Sequence, residues 1–285
     1  EFLGYKIGSR YTPHWKVVNY FDHIAVNAAA TVKLDKYGET NEGRPLLLSF
    51  ISSAENMQQL ETIRLNNLRL ANRTKDKMAA NENAPAIVWL SYNVHGNETS
   101  SSEAAMLTIY ALTNPANTET KEWLKNTVVI IDPCINPDGR DRYVNWFNSI
   151  AGKTANPRLD AREHREPWPG GRTNHYNFDL NRDWLPAQQP ESQNRLKIFH
   201  DWRPNILTDH HEMGSNSTFF FQPGVPSRVN PNTPKKNQQL TGEIAKYHAK
   251  YLDSIGSMYF TKEGYDDFYY GKGSTFPDIH GSVGI

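Results

Sequence analysis

His95 and Glu98 are the two residues whose types and spacing first indicate chemistry. They lie three positions apart in "YNVHGNETSSSEAA", between an apolar run and a helical pattern. Such a pair can place an imidazole nitrogen and a carboxylate oxygen on the same side of a turn, an arrangement that zinc binds. The alternative is a solvated polar loop, since ten histidines make chance spacings common. The location at a predicted strand end, just before a predicted helix, favours a metal site.

A catalytic zinc ion usually has three protein ligands and one open position, so a third ligand should come from another strand end. The segment "LTDHHEMG" offers His210 and His211. Neighbouring residues of an extended strand point to opposite faces, so we expect one of these two to bind the metal and the other to be packed or hydrogen-bonded. Weaker candidates lie in predicted helices or in a long polar loop: His14, His23, His248, His164 and His175.

The elements that must position these residues follow from the alternation of apolar runs and helical patterns. The predicted strands are residues 44–53, 85–94, 126–139, 205–214 and 217–224. The predicted helices are residues 10–29, 53–74, 100–113 and 233–256. Strands that are nearly continuous apolar runs, alternating with helices, indicate an α/β sandwich with a largely parallel or mixed sheet. Residues 136–139, Asn-Pro-Asp-Gly, are predicted to form a turn that shapes the wall of a cleft.

The candidate residues come together only if the strand ends do. His95, Asn136, Asp209 and His211 all lie at or just after the carboxyl ends of predicted strands. Sites in open α/β sheets form beyond these ends, so loops distant in sequence are expected to converge there. We see no internal repeat and no linker, and we expect a single domain over residues 1–285.

Composition narrows the classes of function. Lysine and arginine number 31 together, as do aspartate and glutamate, so the net charge is zero. A nucleic-acid surface needs clustered positive charge, and we therefore expect no nucleic-acid partner. No apolar stretch approaches the ~18 residues of a membrane span. Cys134 is the only cysteine, and its apolar neighbours indicate a small buried side chain.

Four motifs in order give the chain a family resemblance. "HGNE", "NPDGRDRYVNW", "FDLNRDW" and "DHHEMG" fall between Tyr92 and Gly214, and this set resembles the carboxypeptidase A-like zinc carboxypeptidases, in particular a bacterial branch with "DxHEMG". The resemblance implies a three-layer α/β/α sandwich with a mixed, largely parallel central sheet. It also implies Zn²⁺ as the cofactor and a peptide or protein substrate with a free C-terminal carboxylate. An extracellular or periplasmic location is implied as well, whereas the oligomeric state is not.

The resemblance assigns roles to particular residues of this chain. His95, Glu98 and His211 match the zinc ligands, and His210 takes the variable position of the last motif. Asp179 matches an aspartate that accepts a hydrogen bond from the first ligand histidine. The substrate's carboxylate is expected to bind to a matching Asn-Arg pair and to a tyrosine that closes over the substrate: Asn181, Arg182, and Tyr269 or Tyr270.

The arginine that stabilises the oxyanion is less clear from the sequence. Position relative to "NRDW" favours Arg165 narrowly over Arg172, which lies in the same loop. Arg140 and Arg142, which follow the Asn-Pro-Asp-Gly segment, are further candidates. One departure from the family's pattern is Asn97, where these enzymes often have an arginine that contacts substrate. The departure weakens the expectation of a simple C-terminal exopeptidase.

These motifs predict a zinc-dependent peptidase that uses an activated water. A deacylase of N-acyl amino acids on the same fold and a non-catalytic zinc-containing binding module are the alternatives. In the family, the general-base glutamate follows a segment like "GSTFPDIHGSVGI", so we expect it beyond Ile285. This leads us to expect that the domain is C-terminally incomplete, binds zinc and turns over poorly.

Overall fold

A six-stranded sheet lies at the centre of the computed structural model, which describes residues 2–214 and 216–285. The described residues contain eight strands, of which all but β6 and β7 belong to this sheet: β1 Val32–Glu39, β2 Pro45–Ile51, β3 Ala86–Tyr92, β4 Thr127–Asp132, β5 Ile206–His210, β6 Phe219–Phe220, β7 Tyr259–Phe260 and β8 Val283–Gly284. The order in the sheet is β1-β2-β4-β3-β5-β8, with β4, β3, β5 and β8 parallel and β1 and β2 antiparallel. The predicted mixed, largely parallel sheet is confirmed.

Helices cover both faces of this sheet. The described residues contain α1 His14–Asn27, α2 Ala54–Gln58, α3 Leu60–Leu70, α4 Ser100–Thr113, α5 Thr118–Lys125, α6 Pro137–Ile150, α7 Pro190–Trp202 and α8 Lys235–Ser254. Alternate residues of the strands point to opposite layers, so Ile131 packs with α1 and α4 while its neighbour Ile130 packs with α3 and α7. Both faces are therefore buried, which explains the nearly continuous apolar strands and confirms the three-layer α/β/α fold.

The register of the parallel strands brings the predicted site segments together. Ser91 of β3 pairs with Asp132 of β4 on one side and with Asp209 of β5 on the other. Tyr92 pairs with His210, so the chain leaves β3 and β5 at the same level of the sheet. The loop after β3 and the residues after β5 are neighbours for this reason.

Several local predictions differ from the structure. Residues 136–139 are not a turn: Asn136 accepts a hydrogen bond from the backbone N–H of Gly139 and caps α6, with Pro137 in its first turn. The same composition that indicates a turn is also a helix start signal, and here the helix forms. The single helix predicted over residues 53–74 is two helices, α2 and α3, separated by Gln59. The predicted strand at 217–224 has only two residues and pairs with β7 outside the main sheet.

Two further observations concern Cys134 and the apolar character of the helices. Cys134 is buried, as predicted. Among the described residues, no helix combines the length and the apolar character that crossing a membrane requires.

Candidate active site

Asn93 shapes the loop that carries His95 and Glu98. Its backbone has φ 59°, a left-handed conformation that asparagine tolerates better than most residues. From there its side-chain amide donates to the carbonyls of His95 at 2.7 Å and Glu98 at 2.9 Å. The side-chain oxygen of Asn93, Oδ1, accepts from the hydroxyl of Ser102 in α4 at 3.0 Å. The loop is thus tied to the helix that follows it, a role for Asn93 that the sequence alone did not indicate.

Gly96 allows this loop to lie directly on the start of α6. A Cβ atom at this position would be 2.2 Å from the backbone nitrogen of Arg140 and 2.5 Å from the carbonyl oxygen of Gly171. Asn136 fastens the same contact, since its amide donates to the carbonyls of Val94 at 3.3 Å and Arg172 at 3.1 Å. Residues 136–139 do form part of the wall beside the site, but as a helix N-terminus.

His95, Glu98 and His211 come together in one cluster. One ligand atom from each lies within 4.8 Å of the others. Glu98 is in the middle: its Oε1 is 2.7 Å from Nδ1 of His95, and its Oε2 is 3.0 Å from Nδ1 of His211. Two imidazole nitrogens and a carboxylate are a donor set that suits zinc. The chain thus gathers, from two strand ends, three side chains of the kinds that could hold the ion.

The electrostatics of the cluster favour an ionised glutamate. Burial opposes the charge on Glu98, but hydrogen bonds from His211 and His95 outweigh it and lower its pKa to about 2. Burial likewise opposes the charge on His211, whereas the charge of Asp209 and its hydrogen bond, together with Glu98, raise the pKa of His211 to about 10. Without a metal ion, Glu98 is thus ionised and pairs with a protonated His211, and a metal ion would have to displace that proton to bind the ring.

Asp179 and Arg172 contact His95 from the outer side of the cluster. Asp179 Oδ1 is 3.2 Å from Nε2 of His95, while its Oδ2 accepts from Arg172 at 2.8 Å. An acceptor at Nε2 favours the tautomer in which Nδ1 is free to bind a metal. Burial opposes ionisation of Asp179, but the hydrogen bond and charge of His95 and the charge of Arg172 lower its pKa below the usual range.

The two arginines considered for the oxyanion lie in different places. Arg172 Nη1 is 3.2 Å from Nδ1 of His95, so its guanidinium is at the candidate metal site. Arg165 is exposed in the preceding loop. The structure thus brings Arg172, and not the narrowly favoured Arg165, to the ligands. The catalytic role of either arginine stays a prediction.

His210 lies on the opposite face of β5 from His211. Its Nδ1 is 3.0 Å from the carbonyl oxygen of Ser91, and its ring stacks on Tyr92 with centroids 4.1 Å apart. Burial lowers the pKa of His210 to about 4. His210 is therefore a packed, hydrogen-bonded histidine, whereas His211 is in the cluster.

The residues expected to bind a substrate carboxylate lie beside the cluster. Arg182 is exposed, and one of its N–H groups donates to the carbonyl of Asn181 at 2.9 Å. Tyr269 donates to the carbonyl of Arg182 at 3.1 Å. Tyr270 instead meets Thr233, with their hydroxyl oxygens 2.8 Å apart. Of the two tyrosines, the structure places Tyr269 next to Arg182.

Asn97 and Glu166 form a contact that replaces the arginine expected before Glu98. The Asn97 amide donates to Glu166 Oε2 at 2.9 Å, and the other oxygen of Glu166 accepts from the backbone of Gly171. Asn97 thus fastens the loop that leads to Arg172. Its short amide is occupied with a neighbouring side chain.

The acids that contact the cluster each have a partner. Glu212 accepts from the backbone N–H of Ser100 at 3.2 Å, so its carboxylate lies toward the start of α4. Asp179 and Asp209 face the imidazole rings of His95 and His211.

Comparisons with solved structures agree on the fold. The chain resembles carboxypeptidase A from Helicoverpa armigera with a TM-score of 0.63, 18% identity, and coverage of 95% of this chain and 62% of that chain. For bovine thrombin-activatable fibrinolysis inhibitor the values are 0.61, 13%, 94% and 82%. For a metallo-carboxypeptidase from Burkholderia cenocepacia they are 0.59, 13%, 95% and 58%. At these identities the likeness shows a shared fold.

The sequence itself matches a protein-family model. A model of the zinc carboxypeptidase family matches residues 17–275, and the chain belongs to that family. A comparison with curated proteins finds no match. The chain spans less than two thirds of the length of the Helicoverpa and Burkholderia structures. The family model thus shows the family, and the structural likeness shows the fold.

Proposed function

We propose that this protein binds one zinc ion through His95, Glu98 and His211 and hydrolyses peptide bonds next to a free C-terminal carboxylate. The observation that carries the proposal is the meeting of these three side chains within 4.8 Å, from the ends of β3 and β5. Membership of the zinc carboxypeptidase family supports the same ligand set.

The chain's own residues divide the work around the substrate. Arg182 can donate two parallel hydrogen bonds to the terminal carboxylate, and Tyr269 lies where it could cover that end. Arg172 supplies a positive charge beside His95, where negative charge develops on the substrate's carbonyl oxygen. Zinc, when bound, supplies Lewis-acid chemistry that polarises the carbonyl and acidifies water. The family resemblance implies a general-base glutamate, outside the residues assigned above, that accepts the water's proton and passes it to the leaving amine.

Zinc content is the first test. We expect about one zinc per chain in the parent protein and a large loss in His211→Ala, because the cluster then has only two ligands. His210→Ala is a matched control, since it removes the neighbouring imidazole from the opposite face of β5 and should leave the zinc in place. Loss of zinc from His210→Ala, with retention in His211→Ala, would contradict the ligand assignment.

The second test separates the peptidase from the N-acyl amino acid deacylase. The deacylase is a second candidate because Asn97 stands where family members often have an arginine that contacts substrate. Peptides with free and amidated C-termini and short acyl amino acids form the panel. We expect slow cleavage, and of the free peptides only, because the general base is expected beyond the residues assigned here. Preference for acyl amino acids supports the deacylase, and zinc binding without any turnover supports a binding module.

A further inference from the structure

Asp209 lies behind His211 in the same way that Asp179 lies behind His95. Its Oδ2 is 2.9 Å from Nε2 of His211, and its side chain, near the end of β5, is only 1% exposed. Both histidines therefore direct Nδ1 toward Glu98 and Nε2 toward a carboxylate. The motifs pointed to Asp179 alone.

We propose that Asp209 is a positioning residue for the metal: it accepts a hydrogen bond from Nε2–H of His211 and so presents Nδ1 of that ring to zinc. This inference rests on the proposed zinc site. A ring held in one tautomer and one orientation loses less entropy when it binds a metal, and a carboxylate acceptor makes the ligand nitrogen more basic. The cluster would thus be held by a pair of carboxylates, one for each histidine.

The surroundings of Asp209 keep its carboxylate in one place. A Cβ atom on Gly273 would be 2.8 Å from Cγ of Asp209, so the chain packs directly against the carboxylate. Gly273 is itself held, because its backbone N–H donates to Asn181 Oδ1 at 2.9 Å. The Asn181 amide nitrogen also lies 3.0 Å from Nε2 of His211; because an amide N–H can only donate, the proposed Nε2–H of His211 is directed to Asp209 and not to Asn181. The Asn181 side chain is thus part of this arrangement, through the hydrogen bond that its oxygen accepts from Gly273.

Arg195 carries a buried positive charge that interacts with Asp209. Arg195 of α7 is completely buried, and its guanidinium stacks over the Trp184 ring at 3.9 Å. Burial lowers the pKa of Arg195, while the charges of Tyr37, Asp132 and Asp209 act to raise it. The interaction is mutual, so Arg195 offsets part of the cost of keeping a charged Asp209 away from water.

The test compares zinc affinity in Asp209→Asn and the parent, measured by competition with a chromophoric chelator. We expect Asp209→Asn to bind zinc about 10–100-fold more weakly, the usual effect of losing such a carboxylate. Asp278→Asn is the matched control, because Asp278 is a buried acid that hydrogen-bonds Asn237 instead of the cluster. Its zinc affinity should equal that of the parent. A cobalt-substituted sample adds a spectroscopic readout, and we expect the visible bands to shift only in Asp209→Asn.

The outcomes separate this inference from the proposed function. If the parent binds zinc and Asp209→Asn binds it equally tightly with an unchanged cobalt spectrum, the positioning role is wrong while the zinc site stands. If the parent binds no zinc, both are wrong. Thermal melting of the metal-free proteins shows whether the variants fold. Should Asp209→Asn not fold, Asp209→Ala is the second variant, with the same expected loss and the same overturning result.

Discussion

The guanidinium of Arg182 is exposed beside the cluster. Within the described residues Arg182 makes no ion pair, and only one hydrogen bond, to the carbonyl of Asn181, holds it. The adjacent Asp183 instead accepts from the backbone N–H groups of Gln188 and Gln189 at 2.9 and 2.8 Å. Arg182 can therefore take a carboxylate without giving up an existing partner.

We expect Arg182→Lys to weaken binding of a dipeptide with a free C-terminus by about 10–100-fold, because lysine keeps the charge but cannot form two parallel hydrogen bonds. Binding of the C-terminally amidated dipeptide should hardly change. Isothermal titration calorimetry of the zinc-loaded protein measures both. Arg158→Lys, on the exposed surface, is the control. Equal losses for the two dipeptides would rule out a carboxylate role for Arg182.

The residue types and their order predicted much of the site, whereas its geometry depended on loops. His95 and His211 follow strands whose apolar runs are plain in the sequence, so their meeting could be expected. The choice between Arg165 and Arg172 depended on the path of an irregular loop, which has no periodicity to interpret. Asp209 was noticed only as a strand end, since a single aspartate beside a histidine pair has many meanings.

At the scale of elements, the close contact between the loop after β3 and the start of α6 is tested by Gly96→Ala. The added Cβ atom would be 2.2 Å from backbone atoms of Gly139 and Arg140, which are not free to move as a side chain is. We expect the free energy of unfolding to fall by about 1–3 kcal/mol, as overpacking usually costs. Zinc binding should weaken too, because His95 and Glu98 shift. Urea unfolding of the metal-free protein measures the first effect.

Gly242→Ala is the matched control for this substitution. Gly242 lies within α8, and a Cβ atom there meets nothing within 4 Å. Alanine favours a helix over glycine by about 1 kcal/mol, so this variant should be slightly more stable than the parent. If both variants changed stability by the same amount and in the same direction, the close approach at Gly96 would not explain its effect.

The elements that the sequence missed are those with weak apolar patterns. Among the described residues, the edge strand β1 pairs only with β2, and its polar residues are partly exposed. Its stability comes from pairing with a neighbour that sequence periodicity does not show. The helix α6 was missed because its first turn, Asn136 to Gly139, has the composition of a turn. Buried strands and long amphipathic helices were the features that could be predicted.

At the scale of the whole molecule, Arg140 joins segments far apart in the chain. It donates to the carbonyl of Thr12 at 2.8 Å, to Glu103 at 2.9 Å and to the carbonyl of Thr99 at 2.9 Å. It also donates to Asn93 Oδ1 at 3.0 Å, and Asn93 shapes the loop that carries His95. The guanidinium and the Glu103 carboxylate are almost entirely buried.

Breaking this pair on one side should be strongly destabilising. We expect Arg140→Met to lower the free energy of unfolding by about 3–5 kcal/mol, because the Glu103 carboxylate is left buried without its counter-charge. The double variant Arg140→Met/Glu103→Gln should recover part of that loss. Urea unfolding of the two single variants, the double variant and the parent gives the coupling. Simple addition of the single effects would contradict a buried, coupled pair.

We expect the titration of Asp132, at the end of β4, to make the stability of the protein depend on pH. Its Oδ2 accepts from Tyr37 at 2.8 Å, but burial dominates and raises its pKa to about 7. Between its ordinary pKa of about 4 and that value, the folded protein retains a proton that the unfolded chain has released, so stability falls as pH rises through this window. Above pH 7 this contribution is constant.

Asp132→Asn isolates the effect from those of other titrating groups. We expect the metal-free parent to lose more unfolding free energy between pH 4.5 and pH 8 than the variant does, by at most about 4 kcal/mol. Urea unfolding at several pH values across the window measures the difference. Because Glu98 and Asp179 are present in both proteins, their opposite dependence, in which stability is lost as the pH falls toward their lowered pKa values, cancels in the comparison. Parallel stability curves for the parent and Asp132→Asn would show that Asp132 is ionised throughout, with Arg195 as its buried counter-charge.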